Sequence, residues 1–381
     1  MESWSTHHFS QQASARLDIS DILQMLPYIN KLRENNLPVI FSLAHLGKII
    51  GVDYDFLHKT VNRKNESSNY KLFAIKKRTG GRRFIHAVNG KLYKVQKYLN
   101  DEVLQKIQPH PMSFAFHSSG GIKQCAEIHC GCRWLLNFDL KDFFYSISEL
   151  ATYNVFLNIG FKPLLAFELA RLCTTMRLPN EQKHYIKLRK IDMFSSEEQQ
   201  TFPYPIYPWL GVLPQGAPTS PMLSNLVAKN LDEDLYEYSQ NNNFIYSRYA
   251  DDLTFSAFML PSKSIAQIKR DIIHIIRKNG FYENPDKTHI AGPGSRKVVL
   301  GLLVDGMKPR LLKQTRLRIE QHIYCIEKFG INSAASFHGF ESAYGYFNHI
   351  SGLMAFINDV DKDFWERLKD KFEKIKIDLN I

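Results

Sequence analysis

Tyr249-Ala250-Asp251-Asp252-Leu253 decides the reading of this chain. The five residues stand between two β-prone runs, 244 to 248 and 254 to 258, and an acidic pair in that setting predicts a strand, a tight turn and a second strand. Such a hairpin aims its carboxylates at one point, where they repel one another unless a cation neutralises them. Mg²⁺ is the natural occupant, because it takes hard oxygen ligands and binds substrate phosphates as well. Acidic pairs are also ordinary turn chemistry, so the pentapeptide alone leaves a solvated turn open.

The chain has 381 residues, enough for two or three subdomains rather than one core. Its 49 Lys and Arg against 38 Asp and Glu leave a formal charge of +11, which favours a polyanionic partner over a neutral one. Basic residues mix with aromatics at 70 to 97 and 184 to 190, the composition of a nucleic-acid surface. Residues 1 to 8 have neither the charged nor the apolar region of a signal peptide, and the apolar stretch 39 to 52 is too short to span a bilayer and reads as a buried helix. A cytoplasmic protein without membrane contact is expected. Five cysteines fit reduced thiols better than a disulfide framework. Cys125, His129, Cys130 and Cys132 offer zinc-ligand types but lack paired Cys-x-x-Cys knuckles, and small buried thiols are the commoner explanation.

Residues 1 to 68 read as an N-terminal helical extension. Residues 70 to 86 read as two strands joined at Thr79-Gly80-Gly81, a basic hairpin bearing Lys76, Lys77, Arg78, Arg82 and Arg83 that suits a triphosphate-gripping element. Trp134-Leu135-Leu136-Asn137-Phe138-Asp139 is a buried strand closed by an acid, a costly arrangement unless the carboxylate is paired or metal-bound. Residues 149 to 178 look helical, 178 to 209 form a proline-bearing connector, and Gly211 to Pro221 is a small-residue loop entering a helix from 222 to about 238. A helix near 264 to 278, a loop at 280 to 288, a strand at 297 to 304 and a basic, mostly helical tail from 305 follow.

An acid at a strand end, a Gly/Pro loop entering a helix and an acid pair in a hairpin, in that order, resemble the palm of reverse transcriptases. Residues 139 to 146, 213 to 221 and 249 to 252 match the first three palm motifs. Asn284-Pro285-Asp286-Lys287-Thr288 looks like the fourth and Leu300-Gly301-Leu302 like the primer grip. The wording Gln215-Gly216-Ala217-Pro218-Thr219-Ser220-Pro221 and Arg248-Tyr249-Ala250-Asp251-Asp252-Leu253-Thr254 is similar to that of bacterial retron enzymes. Two marks of that group are altered: Cys125-Ala126-Glu127-Ile128-His129 stands where Asn-Ala-x-x-His is usual, and Val299-Leu300-Gly301 where Val-Thr-Gly is usual.

The resemblance implies an α+β right-hand polymerase, with fingers and palm in 69 to 304 and a helical thumb in 305 to 381. It implies two Mg²⁺ ions held by Asp139, Asp251, Asp252 and the carbonyl of Leu140, with the three aspartates catalytic. Lys77 and Arg82 would grip the triphosphate, Phe144 would exclude a ribose 2′-hydroxyl, Gln215 would contact nucleotide or template, and Lys287 would lie near the leaving pyrophosphate. The implied partners are deoxyribonucleoside triphosphates, a cognate non-coding RNA with its short DNA product, and a separate effector protein in antiphage defence. A different defence-associated reverse transcriptase, with another template or protein priming, is the alternative, and a non-catalytic RNA-binding scaffold the remaining one.

Overall fold

The computed structural model describes residues 6 to 76, 80 to 187 and 210 to 378. The chain divides into two compact units built from separated stretches, 1 to 117, 140 to 234 and 270 to 283 in the first and 118 to 139, 235 to 269 and 284 to 381 in the second.

In the first unit the N-terminal residues are helical, as their pattern predicts. The helix expected over 39 to 52 is shorter, Leu43–Ile50, because the Ser42 hydroxyl caps its start by accepting from the His45 N–H and Gly51, at φ 62, ends it. Leu43, Leu46 and Ile50 fall on one face and are buried. The basic hairpin is present as β1 (Tyr70–Lys76) and β2 (Arg82–Val88), antiparallel from Tyr70↔Val88 to Lys76↔Arg82. The single helical run expected from 149 is two packed helices, Glu149–Ile159 and Pro163–Cys173. Gly160, at φ 118, stops the first and Pro163 starts the second. The run expected from 222 to 238 is likewise two helices, Ser220–Val227 in this unit and Lys229–Asn241, which continues into the second, with no sequence signal at the break.

A buried ionic knot holds this unit together. Glu149 is fully buried and accepts from Arg63 Nη2 at 2.7 Å, Arg171 Nε at 2.8 Å and the Gly211 N–H at 2.8 Å. Burial alone would raise the carboxyl pKa, but the two guanidinium groups and the hydrogen bonds outweigh it and hold the pKa below its ordinary value. Arg63 also pairs with Glu66 at 2.8 Å, and Arg171 donates to the Val61 carbonyl at 2.8 Å, so the N-terminal helices are tied to the core by charge as well as by packing.

The second unit contains a four-stranded antiparallel sheet in the order β4-β5-β3-β6, from β3 (Trp134–Asp139), β4 (Ile245–Tyr249), β5 (Asp252–Ala257) and β6 (His289–Ala291). Leu135, Leu136 and Phe138 on β3 and Leu253 and Phe255 on β5 are buried, as suits two central strands. The strand expected over 297 to 304 is instead a hairpin, β7 (Val298–Val299) and β8 (Leu302–Leu303), with β9 (Arg310–Leu311) beside it. Leu300 at φ 49 and Gly301 at φ 81 reverse the chain between them, a two-residue turn with both central residues left-handed. The tail forms three mutually packed helices, Lys313–Phe337, Ala343–Val360 and Lys362–Asp378. Tyr346 lies buried among them, its hydroxyl 2.9 Å from His322 Nδ1.

Removing one member of a buried ion pair leaves the other uncompensated. Arg63→Met is therefore expected to cost about 3 to 5 kcal/mol in urea denaturation, whereas Lys59→Ala, which breaks an exposed pair with Asp55, is expected to cost less than about 1 kcal/mol.

Candidate active site

The sheet register brings the acidic residues together. Asp139, the last residue of β3, lies directly opposite Asp252, the first of β5, and Asp252 is also paired with Tyr249 at the end of β4. Ala250 and Asp251 form the two-residue turn between them. Ala250 takes a left-handed backbone, φ 56, which a residue with a β-carbon adopts at a cost of about 1 kcal/mol or more. The fully buried Arg248 steadies this turn by donating from Nη1 to the Ala250 carbonyl at 3.1 Å. The sequence assigns Arg248 no role; its only mark there is a charged residue closing the β-prone run 244 to 248.

Asp139 is buried and fully engaged. Lys287 Nζ lies 2.6 Å from its Oδ2, Asn284 Nδ2 donates to its Oδ1 at 3.2 Å, and the Asn284 N–H bonds to its backbone carbonyl at 2.7 Å. The fourth palm-like motif is thus folded onto the first. Asp252 is open at the surface, yet desolvation, then the charges of Asp251 and Asp139, push its pKa up to about 6, with Lys287 opposing them. Lys287 is shifted upward despite its partial burial, because Asp139 accepts its hydrogen bond and all three aspartates favour its charge.

The register also sorts the sheet faces. Asp139 and Asn137 on β3, Asp252, Thr254 and Ser256 on β5 and Ser247 and Tyr249 on β4 share one face. Thr254 donates to Asn137 Oδ1 at 3.2 Å on that face. Among the described residues no three His, Cys, Asp or Glu side chains are drawn up as a ready metal cage. At the acidic cluster a lysine already sits on Asp139. At the cysteine cluster both His129 nitrogens bond to serine hydroxyls, and all five cysteines are free thiols.

Arg82, Leu140, Phe144 and Gln215 lie in the first unit, and Lys77 and Arg78 are outside the described residues. Arg82 opens β2 and is exposed. Gln215 is held by its carbonyl, which accepts from the His86 N–H at 2.8 Å. Gly216, at φ 107, lets the loop press against β2, where a β-carbon would come within 2.9 Å of Ile85 Cγ2. Phe143 and Tyr145 are buried while Phe144 between them is half-buried, its ring 6.4 Å from that of Phe116. Leu140 is buried and bridges to Glu283.

Residues 75–304, more than half of the chain, match the family model described as reverse transcriptase (RNA-dependent DNA polymerase). The chain belongs to that family. It is an RNA-directed DNA polymerase of the α+β right-hand class. It is 27% identical to the Retron Ec86 reverse transcriptase of Escherichia coli over 92% of this chain and 94% of that protein. It is 28% identical to the Retron Mx65 reverse transcriptase of Myxococcus xanthus over 93% of this chain and 77% of that protein. Among solved structures, telomerase from Candida albicans with a fragment of telomeric RNA aligns at a TM-score of 0.41 and 12% identity, over 80% of this chain and 56% of that one. No helix among the described residues is long and apolar enough to cross a membrane.

Asp252 keeps its proton more tightly in the folded state than in the unfolded one, so it reduces stability above about pH 6, and the loss is relieved as the pH falls toward about 4. Lys287→Met is expected to move its midpoint upward, by removing a cation, and Asp139→Asn downward, by removing an anion. Carboxyl-carbon NMR titration of the two variants reads both shifts.

Proposed function

We propose that this reverse transcriptase is a retron-type enzyme that binds a cognate non-coding RNA, copies part of it into a short DNA by two-metal phosphoryl transfer, and acts with a separate effector protein in antiphage defence. The likeness to retron reverse transcriptases along nearly the whole chain supports the retron assignment. The opposition of Asp139 and Asp252 beside the Asp251 turn supports the chemistry and is the observation that carries it.

Three carboxylates on one sheet end are a hard-oxygen donor set, and the charges of Asp251 and Asp139 add to burial in raising the Asp252 pKa. In this reading Asp139, Asp251 and Asp252, with the Leu140 carbonyl, hold two Mg²⁺ ions. Bound there, the ions supply charge neutralisation for the transferring phosphate and alignment of the primer hydroxyl. The protein's own groups do the rest. Lys287 stays protonated and presents its ammonium to the phosphates once Asp139 has another cation. Lys77 and Arg82 grip the triphosphate, Gln215 meets the nucleotide across a glycine-lined loop, and Phe144 occupies the space a ribose 2′-hydroxyl would need. Residues 69 to 304 act as fingers and palm, and the helices after 305 as a thumb that follows an RNA–DNA duplex through phosphate and sugar contacts.

Asp251→Asn is expected to abolish primer extension on an RNA template in Mg²⁺ while filter binding of RNA is kept; extension that survives overturns the assignment. Phe144→Ala is expected to raise ribonucleotide incorporation, scored by alkaline cleavage of the product, and an unchanged ratio removes Phe144 from that role. Sequencing the nucleic acid that copurifies with the protein identifies the template, and a tyrosine-linked DNA end would replace RNA priming with protein priming.

A further inference from the structure

His129 lies directly after the helix Ile122–Glu127, which packs on β4. Its ring is completely buried, with Nε2 2.7 Å from Ser247 Oγ on β4 and Nδ1 2.7 Å from Ser256 Oγ on β5. Both serines are also completely buried. Burial pushes the imidazole pKa down to about 3, so the ring is neutral under all working conditions. A neutral imidazole has one donor and one acceptor nitrogen, so one serine accepts from the ring N–H and the other donates to the bare nitrogen. Cys125 Sγ extends the chain, 3.3 Å from Ser247 Oγ. Its thiol is pushed up to about 11, mainly by burial, with a contribution from the Asp252 charge, which places the thiol within electrostatic reach of the acidic turn.

Ser247 lies two residues before Tyr249 and Ser256 four residues after Asp252, and both are on the sheet face that carries Asp139 and Asp252. We propose that His129 is a positioning residue for DNA synthesis, a two-point side-chain clamp that reinforces the backbone ladder between β4 and β5 and so steadies the turn bearing Asp251 and Asp252 against Asp139. The proposal rests on the catalytic reading of those carboxylates. It is specific to the hairpin, because the two bonds reach the two strands that meet at the turn. A buried hydroxyl without its partner keeps its desolvation penalty, so loss of the ring also lets the strands shift to find new partners. Displacements of about 1 Å at a reacting centre cost on the order of 100-fold in rate.

The test uses the full chain, a generic RNA template and a DNA primer. His129→Phe keeps the ring volume and removes both bonds. It is expected to lower kcat by about 10- to 100-fold while KM for deoxyribonucleoside triphosphate and RNA affinity in filter binding stay within about twofold. Adding Ser247→Ala and Ser256→Ala removes the stranded hydroxyls and is expected to restore Tm without restoring kcat. Recovery of kcat together with Tm would make His129 a packing residue and overturn the proposal. So would an unchanged kcat in His129→Phe, or a loss of RNA affinity with kcat intact at saturating template, the latter making this segment an RNA-recognition element. His129→Gln, which keeps one bond, is expected to be intermediate in kcat at near-normal Tm and carries the test if the phenylalanine variant does not fold. Asp251→Asn in the same assay separates the two claims, since activity surviving there fails the catalytic reading whatever His129 does.

Discussion

Two carboxylates facing each other across neighbouring strands are the constraint on which the second unit depends. Like charges in that position destabilise a sheet, yet Asp139 and Asp252 are register partners at the end of its two central strands. The fold answers with Lys287 and Asn284, brought onto Asp139 from a loop about 145 residues further along. Burial, then the charges of Asp251 and Asp139, still hold the Asp252 pKa above its ordinary value despite the nearby ammonium. A sheet selected for stability alone would place an apolar pair there. The hydrogen bonds of Asn284 and Lys287 hold Asp139 in place at that sheet end.

The parts of this architecture that were legible in sequence are those written in short-range pattern. The strand at Trp134–Asp139 and the hairpin around Asp251 followed from apolar runs and turn residues, and the fourth motif from its wording. The misread stretch at 297 to 304 is aliphatic apart from Lys297 and Gly301, and periodicity cannot show a reversal inside such a run. The signal was Leu300-Gly301, where Gly supplies one left-handed residue easily and Leu is held in the other by pairing on both sides.

What was not legible depends on pairing across distance. Glu149 reads as an ordinary helix-start acid, and nothing near it reveals that Arg63 and Arg171 close around its carboxylate. Residues 1 to 68 consequently read as an extension, although Arg63 and Glu66 belong to a charge network that also takes in the N–H of Gly211. Gly211 opens the loop that leads to Gln215, so an N-terminal arginine bears on the placement of that loop. His129 was obscured in the same way. Its neighbours Cys130 and Cys132 suggested metal or inert thiols, whereas its actual partners are two serines more than 115 residues away in sequence.

Arg248 and His129 bond the same hairpin from opposite faces and act on different parts of it. Strand alternation puts Arg248 on the face opposite Ser247, where it donates to the carbonyl of Ala250 and satisfies a turn whose backbone is strained. That bond sets the conformation of the turn, while the backbone ladder from Ile245↔Ser256 to Tyr249↔Asp252 sets the register of β4 on β5. The imidazole bonds one residue on each strand, resisting shear without touching the turn. Conformation and position are separate degrees of freedom for a carboxylate that must meet a partner on a third strand. A rigid turn on a sliding hairpin would still misplace Asp251, and a fixed hairpin with a relaxed turn would misdirect it. The acidic pentapeptide therefore has its geometry specified twice, by a buried cation on one face and a buried neutral ring on the other.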